Sequence, residues 1–409
     1  MVGMTSTATV TSGTSRRWTI LALGVLAQAA QAVLVNGTAF LIPTLHEQSG
    51  MSLAQAGTLA SAPVFGVVFG LVAWGAVADR HGERIVLAAG AAFAAVATAA
   101  AALAAAAGAS PAVLAVLLAI AGAAASSANS ASGRVVVGWF PPDRRGLAMG
   151  IRQMSIPLGV ALAAMTIPVI ARDHGIGWAL ALPATACAIA AAACAIGIAD
   201  PPRPERADAE AQGLLANPYR GSTILQRIHA ASVLLVVPQY VVWTYALVWL
   251  VTERGWAESA AGLVVTAAQF LGAASRVAVG IWSDRVGSRM RPLRIVTVAV
   301  VASMAALALA GFAAGPVAIV LYLVASVTTV SPNGLAFTAV AEVAGPYWGG
   351  RALGIQNTAQ FVAAAGVGPV FGALIGTFGF AAAFAVAAVV PALAVPVVPG
   401  EHRENPGIE

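Results

Sequence analysis

The sequence predicts an all-α membrane protein with twelve transmembrane helices in two pseudo-symmetric six-helix bundles. Three observations carry that prediction. Of 409 residues, 59% are hydrophobic and only 9% charged, with a mean hydropathy of +0.86, whereas soluble domains carry about a quarter charged residues. Apolar stretches of about 20 residues, enough to cross the hydrocarbon, follow one another nearly end to end. A loop sequence also occurs twice: Gly75-Ala-Val-Ala-Asp79-Arg80-His-Gly82-Glu-Arg84 returns 205 positions later as Gly280-Ile-Trp-Ser-Asp284-Arg285-Val-Gly287-Ser-Arg289.

The apolar stretches begin near Trp18, Leu53, Ile85, Pro111, Gly146 and Trp178, and again near Ile224, Ser259, Ile295, Pro316, Gly350 and Phe380. Residues 1–17, small and polar, read as a disordered tail. Residues 18–199 form the first bundle, 200–222 a charged, proline-rich linker, 223–398 the second bundle, and 399–409 a second tail. The duplication extends beyond the loop. Pro142, Gly146, Ala148, Gly150 and Ile151 match Pro346, Gly350, Ala352, Gly354 and Ile355 at an offset of 204, as Asn129 matches Asn333. Internal repeats of this kind build secondary transporters that hold their cargo near the membrane midplane. Cys187 and Cys194 share one predicted helix about 10 Å apart, too far for a disulfide, and read as buried thiols.

Every basic residue is arginine. With the N-terminus in the cytoplasm, sixteen of the 21 fall in tails and inward loops, two (Arg172 and Arg254) in outward loops, and three (Arg134, Arg152 and Arg276) within helices. The positive-inside rule then sets a multi-pass plasma-membrane protein with both termini cytoplasmic. A pI near 9.9 is thereby a topology signal, and nucleic acid is not an expected partner. Ser15-Arg16-Arg17-Trp18 superficially suggests a twin-arginine export signal, but the apolar run that follows is too long for one. Without lysine there is no phosphate-cradling Gly-x-x-x-x-Gly-Lys loop. No metal-ligand cluster, nucleophile arrangement or cofactor motif is present, so neither an enzyme nor a cofactor is expected.

The paired loop resembles the cytoplasmic loop between the second and third helices of the major facilitator superfamily, with its echo in the second half. The resemblance covers residues 18–398 and implies the major facilitator fold and a monomer. It also implies a conformational latch formed by Gly75, Asp79, Arg80, Gly82, Arg84, Gly280, Asp284, Arg285, Gly287, Arg289 and Glu342. In physical terms the glycines permit close helix approach. The aspartates can accept hydrogen bonds from a helix N-terminus, and the arginines can pair with carboxylates such as Asp143 and Glu342. Anchoring of loops at the headgroups is the alternative reading of the same residues.

Ionisable residues inside a membrane are costly and mark function. Arg276 lies about 12 Å along its helix from Asp284. Its context, Ala274-Ser275-Arg276, resembles the eighth helix of oxalate and monocarboxylate porters, where an arginine holds the substrate carboxylate; helix packing onto carbonyls is the alternative. Arg152, in Gly150-Ile151-Arg152-Gln153, is similar to a string in cyanate and small organic-anion carriers. It reads as a ligand or as an inner-gate salt bridge, and Arg134 as snorkelling to the interface. In the family, the first and seventh helices line the cavity, which adds Gln31, Asn36, Tyr240 and Tyr245 as hydrogen-bonding candidates. Asn357, matching Gln153, and Gln360 join them. No acidic residue falls at the centre of a predicted span, which argues against a cationic-drug antiporter and leaves proton coupling without an obvious carrier. A proton travelling on the substrate–arginine pair, or a counter-anion in exchange, is the expected coupling partner. The expectation is an alternating-access secondary transporter for a small, monocarboxylate-like anion; efflux of a neutral or hydrophobic compound is the alternative.

Overall fold

A computed structural model describes residues 6–47, 49–310 and 316–400. The expected tail residues 1–5 and 401–409, with Arg403, lie outside the described residues. Among those described, every regular element is helical. Ten helices are long and apolar enough to cross a membrane before the last one: α1 (Ser15–Glu47), α2 (Gln55–His81), α3 (Glu83–Ala106), α4 (Pro111–Trp139), α5 (Pro142–His174), α6 (Ile176–Gly197), α7 (Ile224–Glu253), α8 (Ser259–Val286), α9 (Met290–Leu309) and α10 (Val317–Ala344). The last, Gly349–Val397, is interrupted at Gly379, where φ is 79° and ψ 173°. It therefore counts as two, α11 (349–378) and α12 (380–397), and the spans among the described residues number twelve.

The Gly379 break has a duplicate. Gly175, 204 positions earlier, ends α5 at φ 89° and ψ 170°. Only glycine enters that region without a Cβ clash, so one residue suffices to reverse the chain in both halves. A second shared irregularity falls inside the fourth helix of each half. α4 breaks at Ser126 and α10 at Ser331, the latter just before Pro332, which has no N–H to continue the ladder. At the N-terminus the structure differs from the expected tail: helix runs from Ser6 into α1, since no proline interrupts the segment. The linker contains one short helix, Arg206–Ala211.

The helices cluster into two compact units. The first comprises Met1–Pro141, Met154–Ala216 and Gly345–Thr358; the second comprises Pro142–Gln153, Asn217–Ala344 and Ala359–Glu409. Each thus contains a short segment drawn from the opposite half of the sequence, a feature absent from the expected division at 200–222. Within the first unit the core is built largely of alanine, among it Ala91, Ala94, Ala121, Ala125, Ala128 and Ala190, with both free thiols buried beside them. Gly66 and Gly70 on α2 lie so close to the carbonyls of Ala119 and Ala123 on α4 that a methyl group at either would collide. Small residues are what lipid-embedded helices use to approach, because the solvent is as apolar as the side chains. Within the second unit aromatic residues fill the core: Trp249 meets the Phe384 ring edge-on at 5.7 Å, with Tyr322 alongside. The large exposed side chains are apolar, Ile196 at 86% and Met165 at 76%, the pattern of a surface facing lipid rather than water.

Candidate functional site

The repeated loop places its aspartates at helix N-termini, where the first N–H groups have no partner in their own helix. In the first unit, Asp79 at the end of α2 accepts from the backbone N–H groups of Gly350 (2.8 Å) and Arg351 (3.0 Å), which open α11. The Arg351 side chain adds a contact at 2.9 Å, and Arg134 of α4 one at 2.8 Å. In the second unit, Asp284 at the end of α8 accepts from Gly146 and Leu147 at the start of α5, both at 2.8 Å. The glycines explain the fit: a methyl on Gly75 would strike the Gly350 carbonyl, and one on Gly280 the Gly146 carbonyl.

The cations around the two hooks differ. Arg134 is 5% exposed and bridges Asp79 and Glu83, which corrects the expectation that it snorkels. Its reach is inward because Glu83, fully buried at the start of α3, also pairs with Arg203 of the linker at 2.9 Å. Arg84, expected to pair with a carboxylate through its side chain, instead holds the Ala195 carbonyl at 2.9 Å, while its backbone N–H donates to Asp200. Arg289 does pair with carboxylates, with Asp284 at 2.7 Å and Glu342 at 3.2 Å, and Arg145 joins Glu342 at 3.3 Å. Burial works to lower the Arg289 pKa, but the hydrogen bonds and charges of Glu342 and Asp284 outweigh it and raise it. Arg80, Arg285 and Asp143 are exposed. Gly82 (φ 96°) and Gly287 (φ 66°) make the turns that follow the hooks.

Deeper in the second unit, two arginines converge on one residue. Arg276 of α8, 4% exposed, donates through Nη1 to the Gln153 backbone carbonyl at 2.8 Å. Arg152 of α5, 1% exposed, donates through Nη1 to the Gln153 side-chain Oε1 at 2.9 Å, and its guanidinium sits 5.5 Å from the Phe337 ring centroid. The carbonyl is free for a local reason. In a helix it would bond the N–H four residues on, but that residue is Pro157, which has none, and α5 breaks at Met154. Arg276 therefore takes the vacated acceptor. Its Nε, also buried, has no hydrogen-bond partner among the described residues, and no salt bridge there reaches it. Tyr240 lies within electrostatic reach of Arg276 and packs against Trp243 at 5.5 Å.

The remaining candidates are used elsewhere. Gln31 donates to Ser127 Oγ at 3.2 Å and accepts from the Ala128 N–H at 3.1 Å, tying α1 to α4. Asn36 bonds back to the Ala32 carbonyl of its own helix at 3.1 Å, and Asn357 to that of Leu353 at 2.8 Å. Tyr245 donates to the Gly368 carbonyl, and Gln360 to Ser232 Oγ at 2.7 Å. Sequence reasoning passed over Glu83, Arg203, Phe337 and the pivotal role of Gln153. Of these only Gln153 carried a local signal, the proline four residues later.

A sequence profile described as Major Facilitator Superfamily matches residues 20–366. A Mycobacterium tuberculosis protein named uncharacterized MFS-type transporter Rv2994 is 49% identical over 398 residues, covering 97% of this chain and 88% of that relative. Among solved structures, the proton:xylose symporter XylE bound to 6-bromo-6-deoxy-D-glucose is similar with a TM-score of 0.74 at 17% identity, over 94% of this chain and 95% of that one. The human organic anion transporter MFSD10 is similar with a TM-score of 0.70 at 16% identity, over 94% and 99%. At such identities the likeness to solved structures is one of fold.

Proposed function

The chain belongs to the major facilitator superfamily of secondary transporters, and from that premise we propose that it carries a small, monocarboxylate-like anion by alternating access. One observation carries the reading: among the described residues, buried Arg276 meets no carboxylate and holds only one hydrogen bond. Burying an uncompensated charge costs several kcal/mol, so an anion is the partner that lowers the energy of this place. With Nη1 held by the Gln153 carbonyl, the Nε–Nη2 edge remains, and that edge matches the two oxygens of a carboxylate. Arg152 adds positive charge beside Gln153, and Tyr240 offers a hydroxyl.

The hooks at Asp79 and Asp284 are then the latch, made and broken as access alternates, and a proton or a counter-anion is the coupling partner. The Gln153 carbonyl holds Arg276 in the orientation that meets the substrate, which links occupancy to the tie between α5 and α8. The arginine bias supports a plasma-membrane protein with cytoplasmic termini. MFSD10, a structural neighbour, is by name an organic anion transporter, which agrees with the reading without establishing it.

Uptake of labelled lactate, oxalate and cyanate into proteoliposomes tests the proposal. Saturable uptake of one of them, lost in Arg276→Gln, supports it; uptake unchanged by that substitution removes the ligand assignment. The second reading, efflux of a neutral or hydrophobic compound, draws on the Arg276–Gln153 contact, which is also what a helix-packing arginine would make. Transport that survives Arg276→Gln but fails on altering Tyr240 would favour it.

A further inference from the structure

We propose that the start of α9 carries a binding site for an anionic phospholipid, separate from Arg276. A hollow of about 390 Å³ opens there, lined by Met290, Arg291, Arg294, Ile295 and Pro399. Both arginines are exposed. Arg294 is positioned by its Nη2, which donates to the carbonyls of Val398 and Pro399, each at 3.3 Å. The Arg291 backbone N–H bonds Ser288 Oγ at 3.2 Å, and its guanidinium makes no hydrogen bond among the described residues. Two guanidinium groups at one hollow suit the paired oxygens of a phosphodiester.

The apolar surface beyond them names the source of the phosphate. α9 is a membrane span that begins at Met290, so the arginines stand at headgroup depth. Above them Ile295 is 49% exposed, Val298 51% and Leu309 65%, with Ala302 and Ala305 exposed between. These positions recur every three or four residues and form one stripe. From Arg291 to Leu309 it extends about 27 Å, nearly the full hydrocarbon thickness of about 30 Å, so an acyl chain of the same leaflet would lie along the half nearest the arginines. The fold itself does not require the basic pair: in the first half the matching positions are Val86 and Ala89. Basic pockets at the cytoplasmic ends of spans recruit acidic headgroups, at about 1 kcal/mol per arginine, and the arginine bias assigns this end to the cytoplasm.

Native mass spectrometry of the purified protein, released from detergent with dioleoyl phosphatidylglycerol or dioleoyl phosphatidylcholine, tests the site. The expected result is preferential retention of phosphatidylglycerol, reduced about fivefold in Arg291→Gln. That variant leaves the Arg294 contacts with Val398 and Pro399 in place, so a loss of retention there is not a loss of fold. Equal retention of the two lipids, or unchanged phosphatidylglycerol retention in both Arg291→Gln and the Arg291→Gln/Arg294→Gln double variant, overturns the proposal. A thermal-shift arm with inorganic phosphate separates the sources: stabilisation equal to that by the lipid would make the site one for free phosphate and also overturn it.

Discussion

At the scale of single residues, the chemistry rests on what a guanidinium does when its neighbours leave donors unused. Arg276→Lys keeps the charge but replaces a planar fork by a point donor, which cannot hold the Gln153 carbonyl and grip two oxygens in the same geometry. A hydrogen bond to a charged group is worth about 1.5–3 kcal/mol, so KM for the transported anion should rise about tenfold or more in proteoliposome uptake. An unaltered KM would show that the fork is not used. Pro157→Ala tests the origin of the tie. It restores an N–H at position 157, which competes with Arg276 for the Gln153 carbonyl; substrate affinity should fall several-fold with little change in thermal stability, and a variant with native affinity would disprove the account. This arrangement was half legible. Arg276 and Arg152 stood out as charges within apolar runs, whereas Phe337 looked like any core aromatic because its partner lies 185 positions away.

At the scale of helices, the repeated motif yields two hooks with one backbone design and different cations. Asp79 and Asp284 were readable because duplication set the same residues at the same distance from a helix end. Arg134 was not: it lies 55 positions from Asp79, and only the fold reveals that α4 turns it inward. The environments rank the hooks. Asp79→Asn leaves the buried Arg134 only Glu83, which Arg203 shares, and also removes the Arg351 pairing, so it should lower stability by about 3–5 kcal/mol. Asp284→Asn leaves Arg289 with Glu342, so the loss should be about 1–2 kcal/mol. Thermal unfolding of both variants in one detergent settles the order, and a greater loss at Asp284 would contradict it.

At the scale of the whole molecule, the twelve spans and the twofold repeat followed from hydropathy and spacing, but the traded segments did not, since hydropathy knows nothing of which helix start docks where. Because Gly345–Thr358 completes the first unit and Pro142–Gln153 the second, a protein cut in the linker should fold poorly as separate halves. Expressed alone, residues 1–211 should be degraded, and co-expression with residues 212–409 should restore both; a first half that accumulates intact by itself would refute this. The unequal hooks have one more consequence. The Asp79–Arg134 contact is sealed from dissolved ions, while Arg289 and Glu342, 11% and 22% exposed, are partly wetted, and only the wetted pair feels screening by salt. On the proposed latch role, duplication has produced two fastenings of unequal stiffness, and opening should begin at the softer one and quicken as ionic strength rises.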